Sequence, residues 1–493
     1  MKKINRILIV FLAVLTLAGC SKDWLDVNTD PNNPASASAE LTLPAAEIGI
    51  AAHVGGYYNL IGGFWSQYWS QSNAANQYKY LDQYQIQSGD FNDIWNQMYS
   101  DPLMDLQFVK KEALEKENWT YYLMATVLEA YAYQVMVDLY NDVPFFEAFR
   151  GESELNFSPK YDNGKVIYDT LIARIDNALA KGSTELTAAQ IKGDFLFAAD
   201  YDTWVEFANT LKLKMFMRQM YSHPAEAQAG VAALYAANAS FLTQDAGIDI
   251  YINEEKKDNP LYASNVRKLN VGTNLRVSTT IFRYFEANSD PRLNYIVSSG
   301  TLPMPQGGFN IPSAELDPPA VAVFAQAPTD PVYFISEVES YLLQAEAIAR
   351  GWGTGDAKAL YDAAVSEAFA RYGEDASSFI GTGGVYEYPN SATFEVNQEA
   401  IIMAKWAAMA GNQSIEAFFE SNRTGYPRKS AVAPWLNGTY NVAYQGGQIS
   451  YSLEGVTGGL FPKRLLYPQD EVNLNTNFPG QTSVTDKVWW DKK

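Results

Sequence analysis

The sequence predicts a mostly α-helical protein, in which a tetratricopeptide-like helical-repeat body carries an irregular, loop-rich part. Three observations predict this class. Apolar residues recur at helical spacing in many segments, which indicates amphipathic helices. Two neighbouring segments pair like the helices of a tetratricopeptide unit. Two long segments lack helical spacing and predict loops with short strands: one is rich in Pro, Gly, Asn and Thr, and the other mixes Gly and Asn with tyrosines.

The elements are predicted in chain order from the spacing of their apolar residues. Residues 25–44 are rich in Asn, Pro, Ser and Ala, and we expect a linker followed by extended chain. Asp101-Pro102 indicates the first helix start, because a capping acid followed by proline is typical of a helix N-terminus. The predicted helical segments are 103–113, 119–138, 166–180, 204–215, 341–349, 360–368 and 401–409.

The helix pair between residues 345 and 369 carries the repeat signal. Small residues let two helices approach closely, and a tyrosine fills the gap between their turns. The residues in that order are Ala345, Ala349, Gly351, Ala357, Tyr361 and Ala364. A body of such pairs buries one continuous core and offers its insertions for binding. The irregular insertions are predicted at about 253–331 and 437–460, and long irregular segments are usually functional.

The N-terminus predicts where the protein resides. Lys2, Lys3 and Arg6 precede an apolar stretch, residues 7–18, that is too short to span a bilayer. It ends in Leu17-Ala18-Gly19-Cys20, and this block resembles a bacterial lipoprotein signal with its lipobox. The resemblance implies that residues 1–19 are removed, that Cys20 is acylated and anchors the chain, and that residues 20–44 form a tether. The alternative is an ordinary secretory signal with a chance cysteine. Ser21-Lys22-Asp23 resembles the surface-export signal of lipoproteins in the Bacteroidetes.

Composition excludes several classes of function. The formal net charge is −20, and loss of Lys2, Lys3 and Arg6 with the signal makes it −23. Such a surface repels phosphate backbones, so we expect no nucleic-acid partner. The chain contains only His53 and His223 and the single cysteine, and we therefore expect no metal site and no cofactor.

Aromatic residues form 14% of the chain and predict a ligand with apolar faces and polar edges, such as a carbohydrate. The densest segment is 57–84, where Asn76, Tyr78 and Tyr80 lie in a stretch without helical period and are the first candidates for ligand contacts. Trp65 and Tyr68 are further candidates, although their helical spacing is typical of a core stripe.

The second candidate region lies in the first irregular insertion. Tyr295 and Phe309 are its candidate ligand contacts, among the polar residues of 294–324. The alternative for each of them is that the loop packs against the helices.

Five segments, in order over more than 300 residues, form a set of motifs: Asp142-Val143-Pro144, 204–212, 344–351, 420–427 and 461–473. This set resembles the motifs of the SusD/RagB family of nutrient-binding outer-membrane lipoproteins. The chain departs from the family pattern at Asn422, where a second arginine is expected beside Arg423. The resemblance implies that residues 45–493 form a single SusD-like domain with about four tetratricopeptide-like helix pairs.

The same resemblance implies a function. The chain would bind a glycan, or a peptide, without catalysis. It would dock on a SusC-like TonB-dependent outer-membrane transporter, act as its lid, and be held at the cell surface by its lipid anchor. Two alternatives from other classes stay open. One is a surface glycoside hydrolase, which needs a pair of carboxylates that nothing in the sequence singles out. The other is a helical-repeat scaffold without a small-ligand site.

Overall fold

The computed structural model describes residues 38–493, and α-helices dominate this part of the chain. The predicted mostly α-helical class is confirmed. The predicted signal, Cys20 and most of the predicted tether lie outside the described residues.

Long helices alternate with short helices and short strands along the chain. In the first half of the chain the helices are α1 (Ala39–Val54), α2 (Tyr57–Trp65), α3 (Lys79–Asp82), α4 (Asn92–Met98), α5 (Met104–Glu115), α6 (Trp119–Tyr140), α7 (Gly151–Glu154), α8 (Gly164–Leu179), α9 (Ala188–Lys192), α10 (Tyr201–Arg218) and α11 (Pro224–Ala236). In the second half they are α12 (Pro260–Tyr262), α13 (Thr279–Ala287), α14 (Leu293–Ile296), α15 (Glu337–Ala349), α16 (Ala357–Ala370), α17 (Ser377–Ile380), α18 (Phe394–Ala408), α19 (Ser414–Thr424) and α20 (Gln469–Leu474). The strands are β1 (Trp69–Gln71), β2 (Val143–Pro144), β3 (Tyr161–Asp162), β4 (Ala246–Ile248), β5 (Leu275–Val277), β6 (Val297–Ser299), β7 (Val323–Phe324), β8 (Val332–Ile335), β9 (Trp435–Leu436) and β10 (Thr439–Tyr440).

Consecutive long helices pack in pairs. Short connections join α5 to α6, α10 to α11, α15 to α16 and α18 to α19, and the two members of each pair contact one another. Polar N-caps fix where several of these helices begin: the side chains of Asn118, Asp200 and Ser336 accept a hydrogen bond from a backbone N–H of the first turn. The four pairs form the predicted repeat body.

The α15/α16 pair packs as its small residues predict. Ala345 and Ala364 are completely buried, and Tyr361 lies in the same apolar cluster. Alanines at this contact leave room for a close approach of the two helices, so that the tyrosine ring fills the space between turns.

Helix α1 corrects the prediction of extended chain up to Pro44. The helix begins at Ala39 and contains Pro44, although proline lacks the N–H that a helix interior uses. Leu43, Ala46 and Ile50 on one face are completely buried. The burial of this face stabilises the helix and offsets the hydrogen bond that is lost at Pro44.

The insertion at 253–331 contains the predicted short strands and also helix α13, which was not predicted. A four-stranded sheet has the order β1-β5-β7-β6, and β1 pairs antiparallel with β5. Helix α13 follows Ser278, whose hydroxyl accepts from the N–H of Thr280, and it buries Ile281 and Phe285. The sheet therefore joins the loop after α2 to the inserted segment.

Charged side chains lie in the core where the helix pairs meet. We call this set the buried ion cluster: Asp138, Glu339, Glu346, Glu416, Glu420, Lys214, Arg218, Lys405 and Arg423. Arg218 lies 3.0 Å from Asp138 and 2.5 Å from Glu420, and Lys214 lies 3.1 Å from Glu339. Buried charges are tolerated only when they are paired, so the cluster fixes α6, α10, α15, α18 and α19 relative to one another.

Asn422, the departure from the family pattern, is also buried. Within the described residues its side-chain nitrogen has no hydrogen-bond partner.

No helix in residues 38–493 is both long enough and apolar enough to cross a membrane.

Candidate functional site

Two of the candidate residues belong to the core, which corrects their assignment as ligand contacts. Tyr68 is completely buried, and its hydroxyl donates to the carbonyl oxygen of Trp406 at 2.5 Å. Trp65 is buried against Phe418, with its ring nitrogen donating to the carbonyl of Leu81. The helical spacing of Trp65 and Tyr68 thus indicates a core stripe, and neither offers a ligand surface in this structure.

Asp82 joins the segment after β1 to the insertion. Its buried carboxylate accepts from the hydroxyl of Ser70, the N–H of Gln71, the side-chain amide of Gln306 and the N–H of Gly307, at 2.5 to 3.0 Å. Burial raises the pKa of Asp82 to about 6, even though all four donors favour the charged form. The carboxylate therefore holds residues 70–82 and 306–307 in fixed register.

Two further contacts bring a third segment to the same place. The side-chain amide of Asn73 donates to the carbonyls of Ile311 and Leu316, at 3.3 and 2.9 Å. The hydroxyl of Tyr440, in the hairpin of β9 and β10, donates to the carbonyl of Pro303. Three loops, 72–80, 303–316 and 435–440, therefore converge.

We call the outer surface of these loops the three-loop face. The polar and aromatic side chains that reach it are Asn76, Lys79, Tyr80, Asn310, Trp435 and Tyr440. The amine of Lys79 lies 3.3 Å from the side-chain oxygen of Asn310 and 4.9 Å from the ring centre of Phe309. Phe309 is buried, so it supports the face from below and does not form its surface.

The predicted residues of segment 76–80 lie at different depths. Asn76 is exposed, whereas Tyr78 is buried with its ring edge-on to Phe64, 6.0 Å between centres. Tyr80 is half-buried, and its hydroxyl lies 2.9 Å from that of Tyr57. Asn76 and Tyr80 thus keep a surface that a ligand can reach, and Tyr78 supports them.

The hairpin supplies aromatic surface that the sequence did not single out. The rings of Trp435 and Tyr440 are half-buried and pack edge to face, with centres 4.9 Å apart. Both pack against a small apolar cluster of Met304, Leu316 and Val321. Amides beside fixed aromatic rings match the hydroxyls and the apolar C–H faces of a sugar.

Tyr295 is not part of the three-loop face. It is 43% exposed, its hydroxyl donates to Glu374 at 2.8 Å, and its ring lies 5.0 Å from that of Tyr372. It precedes β6, which is at the opposite sheet edge from β1. Three strand spacings correspond to about 14 Å. The structure therefore places Asn76, Tyr80 and Phe309 in loops that converge and leaves Tyr295 elsewhere.

Some residues of the face could not be found by sequence reasoning. Lys79 lies between two predicted residues but has no distinguishing pattern, and Asp82 is one acid among 56 acidic residues. The only signal for the hairpin was the aromatic, glycine-rich composition around Tyr440.

In the part of the chain that the structure describes, no group of three or more His, Cys, Asp or Glu side chains is placed to hold a metal ion.

Comparison with known protein families gives a match over most of the chain. The SusD-like family described as "Starch-binding associating with outer membrane" matches residues 31–442. No curated protein sequence matches the chain.

Solved structures share the fold. A chitin-binding protein superposes with a TM-score of 0.72 at 23% identity, over 91% of this chain and all of the other. A chitin-binding SusD homologue from Flavobacterium johnsoniae gives 0.68 at 18% identity, over 90% and 94%. A SusD/RagB family protein from Bacteroides thetaiotaomicron gives 0.70 at 21% identity, over 93% and 99%. The match over most of the sequence shows that this chain belongs to the SusD-like family of starch-binding proteins that associate with the outer membrane.

Proposed function

We propose that this chain is a non-catalytic, cell-surface nutrient-binding lipoprotein that captures a glycan at the three-loop face. The observation that carries the proposal is the convergence of loops 72–80, 303–316 and 435–440 on one face. The face offers the exposed amides of Asn76 and Asn310 and the packed ring pair of Trp435 and Tyr440. Membership of a family described by starch binding supports the ligand class. So do the names of two similar structures, both called chitin-binding.

Further parts of the proposal concern how the captured glycan is used. The chain delivers its ligand to a SusC-like TonB-dependent outer-membrane transporter and closes over that barrel as a lid. Association of the family with the outer membrane supports this partner. Acylated Cys20 anchors the chain to the membrane, which the lipobox supports.

The test of capture is calorimetry on a form that begins at Ser21, with starch and chitin oligosaccharides and, separately, peptides. We expect saturable heat with at least one oligosaccharide and loss of that heat in Trp435→Ala and Asn76→Ala. Phe157→Ala is the matched control, because Phe157 is an exposed aromatic outside the face. Heat from peptides alone would replace the glycan by a peptide. New reducing ends in the same samples would favour the hydrolase, and silence with every ligand would favour the scaffold.

Two experiments test the anchor and the partner separately. Cys20→Ser is expected to abolish incorporation of labelled palmitate and to release the protein from the membrane fraction. An affinity-tagged wild-type chain is expected to co-purify with a TonB-dependent barrel from detergent-extracted outer membranes. Recovery of the chain without any barrel would contradict the lid.

A further inference from the structure

A cavity of about 420 Å³ opens beside strand β6 and is separate from the three-loop face. We call it the side cavity. Its aromatic walls are Tyr295, Phe324, Tyr333 and Tyr372, and its polar lining includes Asn259, Gln326, Arg371 and Asn412. Its size falls within the range of about 300–1,000 Å³ that is typical of small-molecule sites.

The side cavity shares no residue with the three-loop face. It lies at the β6 edge of the sheet, between the ends of α16 and α18, whereas loop 72–80 follows β1 at the other edge. A ligand bound in the side cavity therefore leaves the three-loop face free, and a ligand on the three-loop face leaves the cavity free.

The backbone around the cavity is fixed by buried hydrogen bonds. The side-chain amide of Asn259 donates to the carbonyl of Asp330 at 2.9 Å, and its oxygen accepts from the N–H of Leu261 at 2.9 Å. Asn59 donates to the carbonyl of Gly411 at 2.8 Å. Gly411 has a φ of +90°, and a Cβ there would lie 3.1 Å from the ring of Phe324. The walls are thus held in place without a ligand.

Three side chains of the lining carry polar atoms with unmet hydrogen-bonding capacity. Within residues 38–493, the side-chain nitrogen of Gln326, the side-chain oxygen of Asn412 and Nε of Arg371 are buried without a partner. Gln326 is oriented by its oxygen, which accepts from Asn265 at 3.0 Å. These three atoms are screened from solvent in the empty cavity, so a ligand gains affinity from them when their side chains turn towards it. The set comprises two donors and one acceptor, and a hydroxyl group can accept a hydrogen bond from the donors or donate one to the acceptor.

The charges of the lining favour a neutral ligand. The guanidinium of Arg371 is paired with Asp245 at 2.5 Å and lies 4.7 Å from the ring centre of Tyr333. Asp330 is exposed, and its carboxylate accepts from the N–H of Ala327 at 2.7 Å. Because the one cation of the lining is neutralised by an acid, no excess positive charge is present to hold an anion.

The tyrosines complete the chemistry of the cavity. Burial raises the pKa of Tyr333 to about 12, so its hydroxyl stays protonated at neutral pH. The half-buried ring of Tyr372 lies beside that of Tyr295 and presents a flat apolar surface. Flat rings edged with hydroxyls and amides complement a pyranose ring.

We propose that the side cavity is a second binding site, which takes a neutral mono- or disaccharide unit by stacking on its tyrosines and by hydrogen bonds to Gln326, Asn412 and Arg371. The proposal shares its ligand class with the proposed function but none of its residues. Each can therefore fail alone. A second site would hold another part of a long glycan while the three-loop face holds the first.

The test uses the form that begins at Ser21, with maltose and chitobiose as probes in calorimetry at millimolar concentration. The double variant Asn76→Ala/Trp435→Ala removes the three-loop contribution. We expect this variant to bind at least one probe with a single site. Adding Ala327→Trp, which places a large ring at a lining position of the side cavity, is expected to weaken that binding at least tenfold. Ala189→Trp is the matched control, since it places the same ring on an exposed helix position elsewhere.

A gentler variant keeps the test decisive should Ala327→Trp unfold. Gln326→Leu removes one unmet donor at nearly constant volume and is expected to weaken the residual binding severalfold while the melting temperature is kept. A double variant that binds neither probe overturns the proposal. So does residual binding that both cavity variants leave unchanged, or a crystal structure at saturating probe with only water in the cavity.

Discussion

Replacement of Arg423 by methionine is expected to destabilise the fold strongly, because this arginine lies in the buried ion cluster. Its side chain is completely buried and donates to both oxygens of Glu346, at 2.9 and 2.7 Å, and of Glu420, at 3.0 and 2.5 Å. Methionine fills similar space but leaves both carboxylates without this cation.

The magnitude follows from what each carboxylate keeps. Glu420 retains Arg218 at 2.5 Å and Lys405 at 3.4 Å, whereas Glu346 retains only the side-chain amide of Gln398 at 2.7 Å. Glu346 becomes the stranded charge. Breaking a buried pair in this way costs about 3–5 kcal/mol of unfolding free energy.

The assay is urea unfolding followed by circular dichroism and by tryptophan fluorescence, with the midpoints compared at constant slope. Arg428→Met is the matched control: Arg428 is 61% exposed and donates to Glu399 through Nε and Nη2, and such exposed pairs contribute about 0–1 kcal/mol. Adding Glu346→Gln to Arg423→Met is expected to recover part of the loss by removing the stranded charge. If Arg423→Met lowers the unfolding free energy no more than Arg428→Met does, the reasoning about the cluster is refuted.

The remaining predictions concern pH and packing. Burial alone would raise the pKa of Glu416 and Glu420, but the surrounding Arg and Lys side chains outweigh burial and lower the pKa of both carboxyls. The charged carboxylates therefore stabilise the fold above the unfolded pKa of about 4.3, and this stabilisation is lost as pH falls through their folded pKa values. Melting curves between pH 7 and pH 3 will show the loss as a steep decline in melting temperature. Burial and the nearby Asp194 raise the pKa of Glu47, so its ionisation costs stability as pH rises; Glu47→Gln is expected to raise the melting temperature at pH 8 and to have no effect at pH 3, and an equal shift at both values would contradict this. Gly62→Ala would place a Cβ 2.3 Å from the backbone nitrogen of Ile415, where α2 meets α19; we expect a loss of about 1–3 kcal/mol in urea unfolding, whereas Gly89→Ala, with open space around it, is expected to cost less than half of that.

Local periodicity was enough to predict most of the long helices. Residues 119–138 and 166–180 were predicted within two residues of α6 and α8 at each end, because apolar residues recur at helical spacing through both: on a broad face in α6, which is buried nearly all round, and on one face in α8. Helix α1 was missed in part because Pro44 argues locally against a helix, and only its packed face outweighs that local cost.

The candidate site was predictable only in part, because burial depends on contacts between distant residues. Tyr68 and Tyr80 are both tyrosines in one aromatic segment, and contacts with Trp406, far along the chain, help to place the first in the core. The same holds for Asp82, whose role depends on Gln306 and Gly307. Spacing alone contains no information about such partners.

The buried ion cluster also has a consequence for the order in which the chain can fold. In the sequence, its acids Glu416 and Glu420 come long after the cations Lys214 and Arg218 with which they pair. Asp138 accepts a hydrogen bond from the ring nitrogen of Trp490, three residues before the end of the sequence. During synthesis, at about 5–20 residues per second, the charges of the early helices therefore lack their buried partners until the last segments have been made. Contacts this distant in the sequence slow folding, so the core that these charges share can form only after nearly the whole chain has been made.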